Sequence, residues 1–252
     1  MVSPWKKIIL ITGGGRGIGA ACALVAASQG YTVYISYRTD AAAAAEVIAA
    51  IETADGTALA IQADVSDEVA VESLFVQIDK RFGRLDALIN NAGILSPQMR
   101  VEQMDAARIN RVLATNVTGS FLCAREAVRR MSTKHGGLGG SIVKISSRAA
   151  VLGSPGEYVD YAASKAALDA LTIGLSKEVA TEKIRVNGVR PGLIHTTIHA
   201  SGGESGRVSR LQSSVPMARG GEPMEVAKAA LWLISDEASY TTGSFIDVSG
   251  GR

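Results

Sequence analysis

The 252-residue chain is poor in the residues that staple, anchor or decorate a protein. It has two cysteines, Cys22 and Cys123, each inside an apolar helical pattern (AACALV, SFLCARE). That usage excludes a disulfide framework and reads as two small buried thiols. Of three histidines, His195 and His199 have the i, i+4 spacing of a metal pair, but they follow Pro191-Gly192 in an expected loop, and His135 sits in an unrelated glycine-rich segment. No metal site is expected from them. No apolar run approaches the ~18 residues of a membrane span. The opening MVSPWKKIIL carries two lysines, but its apolar run ends at Thr12-Gly13, too short for a secretory signal, so a cytoplasmic protein without a membrane partner is expected. Aromatics make up only 5% of the chain, and 26 Lys and Arg face 24 Asp and Glu without forming a basic block. Nucleic acid is therefore not an expected partner.

What is present is a strand and helix alternation. With 47% hydrophobic and 20% charged residues, the composition is that of a compact domain. Short β-rich runs (KIILIT, TVYISY, TALAIQ, ALIN, SIVKIS, IRVNGV, SFIDVS) are separated by helical patterns such as IGAACALVAAS, AAAAAEVIAAIET, EVAVESLFVQIDKRF and AALDALTIGLSKEVA. The runs are nearly continuous in apolar residues, as strands covered on both faces must be. The pattern predicts an α/β fold over residues 1–252: a single doubly wound, Rossmann-type domain with a seven-stranded parallel sheet and helices on both faces. Asp40 is placed to cap the alanine-rich helix that follows it.

Two stretches carry chemistry. TGGGRGIGA, Thr12 to Ala20, links the first strand to the first helix, where glycines let a pyrophosphate approach free helical N–H groups. Gly15, Gly17 and Ala20 fit one dinucleotide spacing; Gly13, Gly17 and Gly19 fit another. No Gly-Lys-Ser/Thr follows, which excludes a P-loop. The second strand ends Ser36-Tyr37-Arg38, with a guanidinium where an NAD site carries an acid. Arg38, with Arg16 closing from the loop, suits a 2′-phosphate, so NADP(H) is the expected cofactor; Asp40 nearby keeps NAD(H) as the fallback. The second stretch, ISSRAAVLGSPGEYVDYAASKAA, places Tyr161 and Lys165 one helical turn apart with Ser147 at the preceding strand end. An ammonium beside a phenol favours its ionised form, so the pair predicts a tyrosine pKa lowered towards neutrality.

These residues resemble those of the short-chain dehydrogenase/reductase family along essentially the whole chain. The match rests on Thr12-Gly13-x-x-x-Gly17-x-Gly19, Asn90-Asn91-Ala92-Gly93, Asn116 in TNVTG, Ser147, Tyr161-x-x-x-Lys165, Pro191-Gly192 and the terminal SFIDVSGG. The resemblance implies Ser147, Tyr161, Lys165 and Asn116 as the catalytic set, with Asn116 positioning a water. It implies Asp64 and Val65 near the adenine, and Asn90, Ala92 and Gly93 beside the ribose. Ile194 and Thr196 would lie near the carboxamide. Gly15, Arg16, Ile18, Tyr37, Arg38, Tyr161, Lys165, Pro191 and Gly192 complete the expected cofactor contacts with the loop glycines. The implied activity is hydride transfer between NADP(H) and a small-molecule carbonyl or secondary alcohol, with Tyr161 as general acid and base, in a homotetramer. Alternatives are a glucose-type sugar dehydrogenase, a 3-oxoacyl-thioester reductase and a non-catalytic NADP(H) sensor. An acyl-carrier substrate calls for a basic patch, for which Arg100, Arg148, Arg207 and Arg210 are the candidates. Pocket residues are expected at 95–100 and 148–158, and the segment 199–221 is expected to form a lid.

Overall fold

The computed structural model describes residues 6–252; residues 1–5, where the stretch read for a leader begins, lie outside it. All seven apolar runs form strands: β1 (Ile8–Ile11), β2 (Thr32–Tyr37), β3 (Thr57–Gln62), β4 (Ala87–Asn90), β5 (Gly140–Ile145), β6 (Ile184–Pro191) and β7 (Phe245–Val248). They build one sheet in the order β3-β2-β1-β4-β5-β6-β7, and each neighbouring pair is parallel. The chain winds outward from β1 to β3, then returns to the other side of β1 with β4. The carboxyl ends of β1 and β4 therefore diverge around a crevice, the usual ligand position in such sheets.

Each sheet face is covered. On one side α1 (Gly17–Ser28), α2 (Ala41–Thr53) and α10 (Pro223–Ile234) bury Cys22, Val47, Ile51, Val226 and Leu231 against Ile9, Ile11, Ile35 and Ile89. On the other, α3 (Glu68–Phe82), α5 (Gly119–Met131) and the end of α7 (Val159–Glu178) pack Phe75, Ile78, Cys123 and Met131 against Ile8, Leu10, Leu88 and Ile142. Alternate strand residues feed the two cores, which is why the strands carry no polar alternation. Both cysteines are buried and unbonded.

Helix ends follow local chemistry. The Asp40 carboxylate accepts the Ala43 N–H at 3.0 Å and starts α2, while Asp67 caps α3 and Gly83, at φ +63°, ends it. Helix α4 (Ala106–Leu113) runs through a π-helical turn, Ala114–Thr118, into α5. A short helix, α6 (Ala149–Leu152), follows β5. The expected lid segment contains two more, α8 (Ile198–Ser201) and α9 (Arg207–Leu211). No described helix is long and apolar enough to cross a membrane.

Candidate active site

The loop from β1 to α1 needs glycine at specific points. Gly17 opens α1 at φ +54°, and a Cβ on Gly19 would collide with the Gly13 carbonyl oxygen. Around Gly15 the nearest atoms are 3.4 Å or more away, so the Gly13, Gly17, Gly19 spacing is the one that the packing demands. No side chain caps α1 and its first turn holds no acid, which leaves its positive end facing the crevice.

Thr12 Oγ accepts the N–H groups of Asn91 and Ala92 at 3.0 Å, and the Asn91 amide donates to the carbonyls of Thr12 and Gly13. This stitches the glycine loop to the end of β4. Asn91, part of the Asn90-Asn91-Ala92-Gly93 match but given no role there, lines the cavity. Asn90, expected beside the ribose, is turned inward: its amide donates to Ser120 Oγ and carbonyl oxygen, and its Oδ1 accepts from Thr12. Asn90 and Gly19 line neither cavity of the crevice and act by holding the loop.

One cavity runs along the ends of β1 to β4. Its walls include the expected Gly13, Gly15, Arg16, Gly17, Ile18, Tyr37, Arg38, Asp64, Val65, Ala92, Gly93 and Thr196. Arg16 and Arg38 are exposed at its edge, and neither forms an ion pair among the described residues. The competing acids are engaged: Asp40 caps α2, and Asp64 Oδ1 accepts the backbone N–H and hydroxyl of Ser66. An uncapped helix start, a backbone cradle without side chains and two uncompensated guanidiniums fit a dinucleotide carrying an extra phosphate.

A second cavity, of about 470 Å³, adjoins the first and shares Ile18, Gly93 and Thr196 with it. Ser147, Tyr161 and Lys165 converge on this cavity, with Pro191, Gly192 and Ile194 in the wall. The Lys165 ammonium donates to the Ile145 carbonyl at 2.7 Å and lies 5.5 Å from the centre of the Tyr161 ring. The Ser147 hydroxyl accepts the Ala149 N–H at the start of α6 and sits beside the phenol.

The expected lowering of the tyrosine is corrected by this geometry. Burial pushes the Tyr161 phenol up to about 12, and only the Ser147 hydroxyl draws it back. Lys165 is itself desolvated, which lowers its amine to about 8, with Asp169 opposing. Its charge rests over the ring face and against a carbonyl, so the protein on its own holds Tyr161 firmly protonated.

Asn116 is fully buried in the π turn. Its Oδ1 accepts the Ile94 N–H at 2.8 Å, and its amide donates to the Ile94 carbonyl and to Ser164 Oγ. Both amide hydrogens are thereby used, and the side chain ties the end of β4 to α7 without lining either cavity. Ser164, which passes this link to the Tyr161 carbonyl, had no signal beyond its place between Tyr161 and Lys165.

The lid segment is docked over the second cavity. The Arg207 guanidinium, 8% exposed, binds Glu157 and Glu204; Arg210 binds the same two acids; and the Tyr158 hydroxyl donates to the Gly202 carbonyl at 3.1 Å. Arg100 is paired with Glu102 and Arg148 with Asp247. Each of the four arginines considered for an acyl-carrier docking patch is therefore paired with an acid. The two histidines take different partners: His195 lies 4.0 Å from Glu222, while His199 Nε2 donates to the Ile194 carbonyl within the wall.

Residues 13–252 match the family model described as Enoyl-(Acyl carrier protein) reductase. Over 97% of this chain and 99% of its own length, the uncharacterized oxidoreductase YgfF of Escherichia coli (strain K12) is 60% identical. A short-chain type dehydrogenase/reductase from Mycobacterium marinum superposes with a TM-score of 0.91 at 35% identity, covering 97% of this chain and 94% of that one. A short chain dehydrogenase from Burkholderia cenocepacia J2315, crystallised in complex with NADP, gives 0.88 at 33% identity with 97% of both chains covered. With the glycine loop, the seven-stranded sheet and the Ser147, Tyr161, Lys165 cluster, these matches place the chain in the short-chain dehydrogenase/reductase family, as an oxidoreductase.

Proposed function

We propose that the protein is an NADP(H)-dependent carbonyl reductase that also runs in reverse as a secondary-alcohol dehydrogenase. The carrying observation is the convergence of Ser147, Tyr161 and Lys165 on a cavity that shares its inner wall with the dinucleotide cleft. When bound, the nicotinamide supplies or accepts the hydride, which no side chain can do. The α1 N-terminus and the glycine loop would hold the pyrophosphate, Arg16 and Arg38 would take the 2′-phosphate, and Lys165 would hold the nicotinamide ribose. In reduction, Ser147 and Tyr161 donate hydrogen bonds to the substrate oxygen, stabilising the charge that develops there, and Tyr161 transfers its proton. The NADP complex of the Burkholderia relative supports this choice of cofactor.

The test is a spectrophotometric screen of NADPH and NADH oxidation against a panel of ketones, diketones, aldoses and 3-oxoacyl thioesters, with Tyr161→Phe as control. The expected outcome is turnover favouring NADPH, with kcat lowered by about 100-fold or more in the variant and NADPH affinity retained. Near-parental turnover by Tyr161→Phe would reject the assignment, and preference for NADH would reject the cofactor.

A further inference from the structure

Helix α4 sends one side chain into the protein towards the tyrosine. Arg108 is 6% exposed in its side chain and faces Asp160, which is 3% exposed. Its Nε donates to Asp160 Oδ2 at 2.8 Å and its Nη2 to Oδ1 at 3.4 Å. The third arm, Nη1, donates to the Pro97 carbonyl at 2.6 Å and lies 3.8 Å from the Met99 sulfur. Asp160 Oδ1 also accepts the backbone N–H of Tyr161 at 2.9 Å. The base of the arginine is itself set by Asp105, whose carboxylate accepts the Arg108 N–H at 2.7 Å.

A buried ion pair is a poor device for stability alone, because apolar residues of similar volume commonly serve as well. This one is distinguished by what it joins. One planar guanidinium fixes the start of α4, the chain after β4 that carries Leu95 into the substrate cavity, and the first turn of α7 that carries Tyr161. The loop is tied back a second time, since Met99 N–H donates to the Glu157 carbonyl, four residues before the catalytic tyrosine.

We propose that Arg108, through Asp160 and Pro97, is a positioning residue that sets the distance between the substrate loop and the Tyr161 hydroxyl. The proposal rests on the reading of Tyr161 as the proton donor. A planar fork with three separately aimed donors performs this role, and a lysine point charge lacks that fixed geometry. Displacing reacting groups by about 1 Å costs up to about 100-fold in rate.

The experiment compares parent, Arg108→Lys, Asp160→Asn and the apolar pair Arg108→Met/Asp160→Leu. It measures kcat and KM with NADPH and 9,10-phenanthrenequinone, the NADPH Kd by fluorescence, thermal unfolding, and hydrogen exchange of residues 94–100 and 158–164. In the apolar pair we expect cooperative unfolding, NADPH Kd within about twofold of parent, kcat lower by about 10- to 100-fold, and faster exchange in both segments together. Arg108→Lys, which keeps the buried charge balanced, should lose about tenfold in kcat and loosen only one segment. Parental kcat in either of these variants overturns the proposal, as does a loss of activity that follows lost NADPH binding. If the parent binds NADPH yet reduces no carbonyl, the functional reading fails instead. Exchange then decides positioning: unchanged protection of 94–100 and 158–164 in Arg108→Lys and Asp160→Asn refutes it.

Discussion

Burial acts on Tyr161 and Lys165 in the same sense, favouring the neutral form of each, so the phenol rises to about 12 and the amine falls to about 8. Reduction uses the protonated phenol, which is present throughout the neutral range. Oxidation needs the phenolate, whose fraction grows about tenfold per pH unit below the pKa. Initial rates of alcohol oxidation should therefore climb from pH 7 to 10 while carbonyl reduction does not rise; an oxidation rate flat across that range would contradict Tyr161 as base. A second lysine tests burial without touching the chemistry. Lys144 is fully buried in β5, its ammonium donating to Ser120 Oγ at 3.4 Å, and burial lowers it to about 7, with Cys123 opposing. Between that value and the unfolded value of about 10.4 the unfolded chain binds a proton that the folded chain does not. The contribution of Lys144 to stability is therefore most unfavourable below pH 7 and improves as pH rises through this window. Lys144→Met should raise the unfolding free energy at pH 6 by an amount on the order of a few kcal/mol, and Tm with it, and both much less at pH 10. Thermal melts of both proteins at both pH values check it, and equal gains would show that the amine carries no such cost.

At the scale of elements, the β1 to α1 turn makes the sharpest prediction. A Cβ at Gly19 would strike the Gly13 carbonyl oxygen and lie 2.6 Å from Asn91 Nδ2, both parts of the stitched cradle. Gly19→Ala should cost about 1–3 kcal/mol and weaken NADPH binding by at least about tenfold. Gly15→Ala, where a Cβ would meet Ala44 only at ordinary van der Waals distance, 3.4 Å or more, should cost less stability than Gly19→Ala. Chemical unfolding of the pair and NADPH titration of Gly19→Ala decide the matter, and equal losses of stability in the two variants would refute the spacing. The strands were readable because parallel strands covered on both faces must be apolar throughout, and α2 because Asp40 precedes an unbroken helical run. Ser147, Tyr161 and Lys165 were readable because one helical turn fixes the spacing of two of them, and the strand end supplies the third. Other features depend on how distant parts meet. Asn90 and Asn91 are adjacent amides whose roles separate only when β4 ends against Thr12, and the π turn holding Asn116 is one extra residue in a helix without a compositional mark. Asp247, which pairs with Arg148, and Glu157, which pairs with Arg207 and Arg210, are distant in sequence, so these positive charges looked more available than they are.

For the whole molecule, helices α4, α5 and α7 leave apolar side chains uncovered. Leu113 on α4, Phe121 on α5 and Ile173 on α7 are 36%, 50% and 42% exposed. Helices α4 and α5 are continuous through the π turn, and α7 packs against both α4 and that turn. Apolar side chains exposed on adjoining helices suit an interface between copies, and a self-complementary face contributes each residue twice when two copies meet about a twofold axis. We propose that α4, α5 and α7 form one of the interfaces of a homotetramer. Light scattering of the parent at micromolar concentration should give four protomer masses. Phe121→Arg would place two unpaired guanidiniums in the closed face, and burying an unpaired charge is strongly unfavourable. The variant should therefore run as a smaller species with its unfolding still cooperative. A parent that is monomeric, or a Phe121→Arg variant that keeps the parental mass, would remove this face from the assembly.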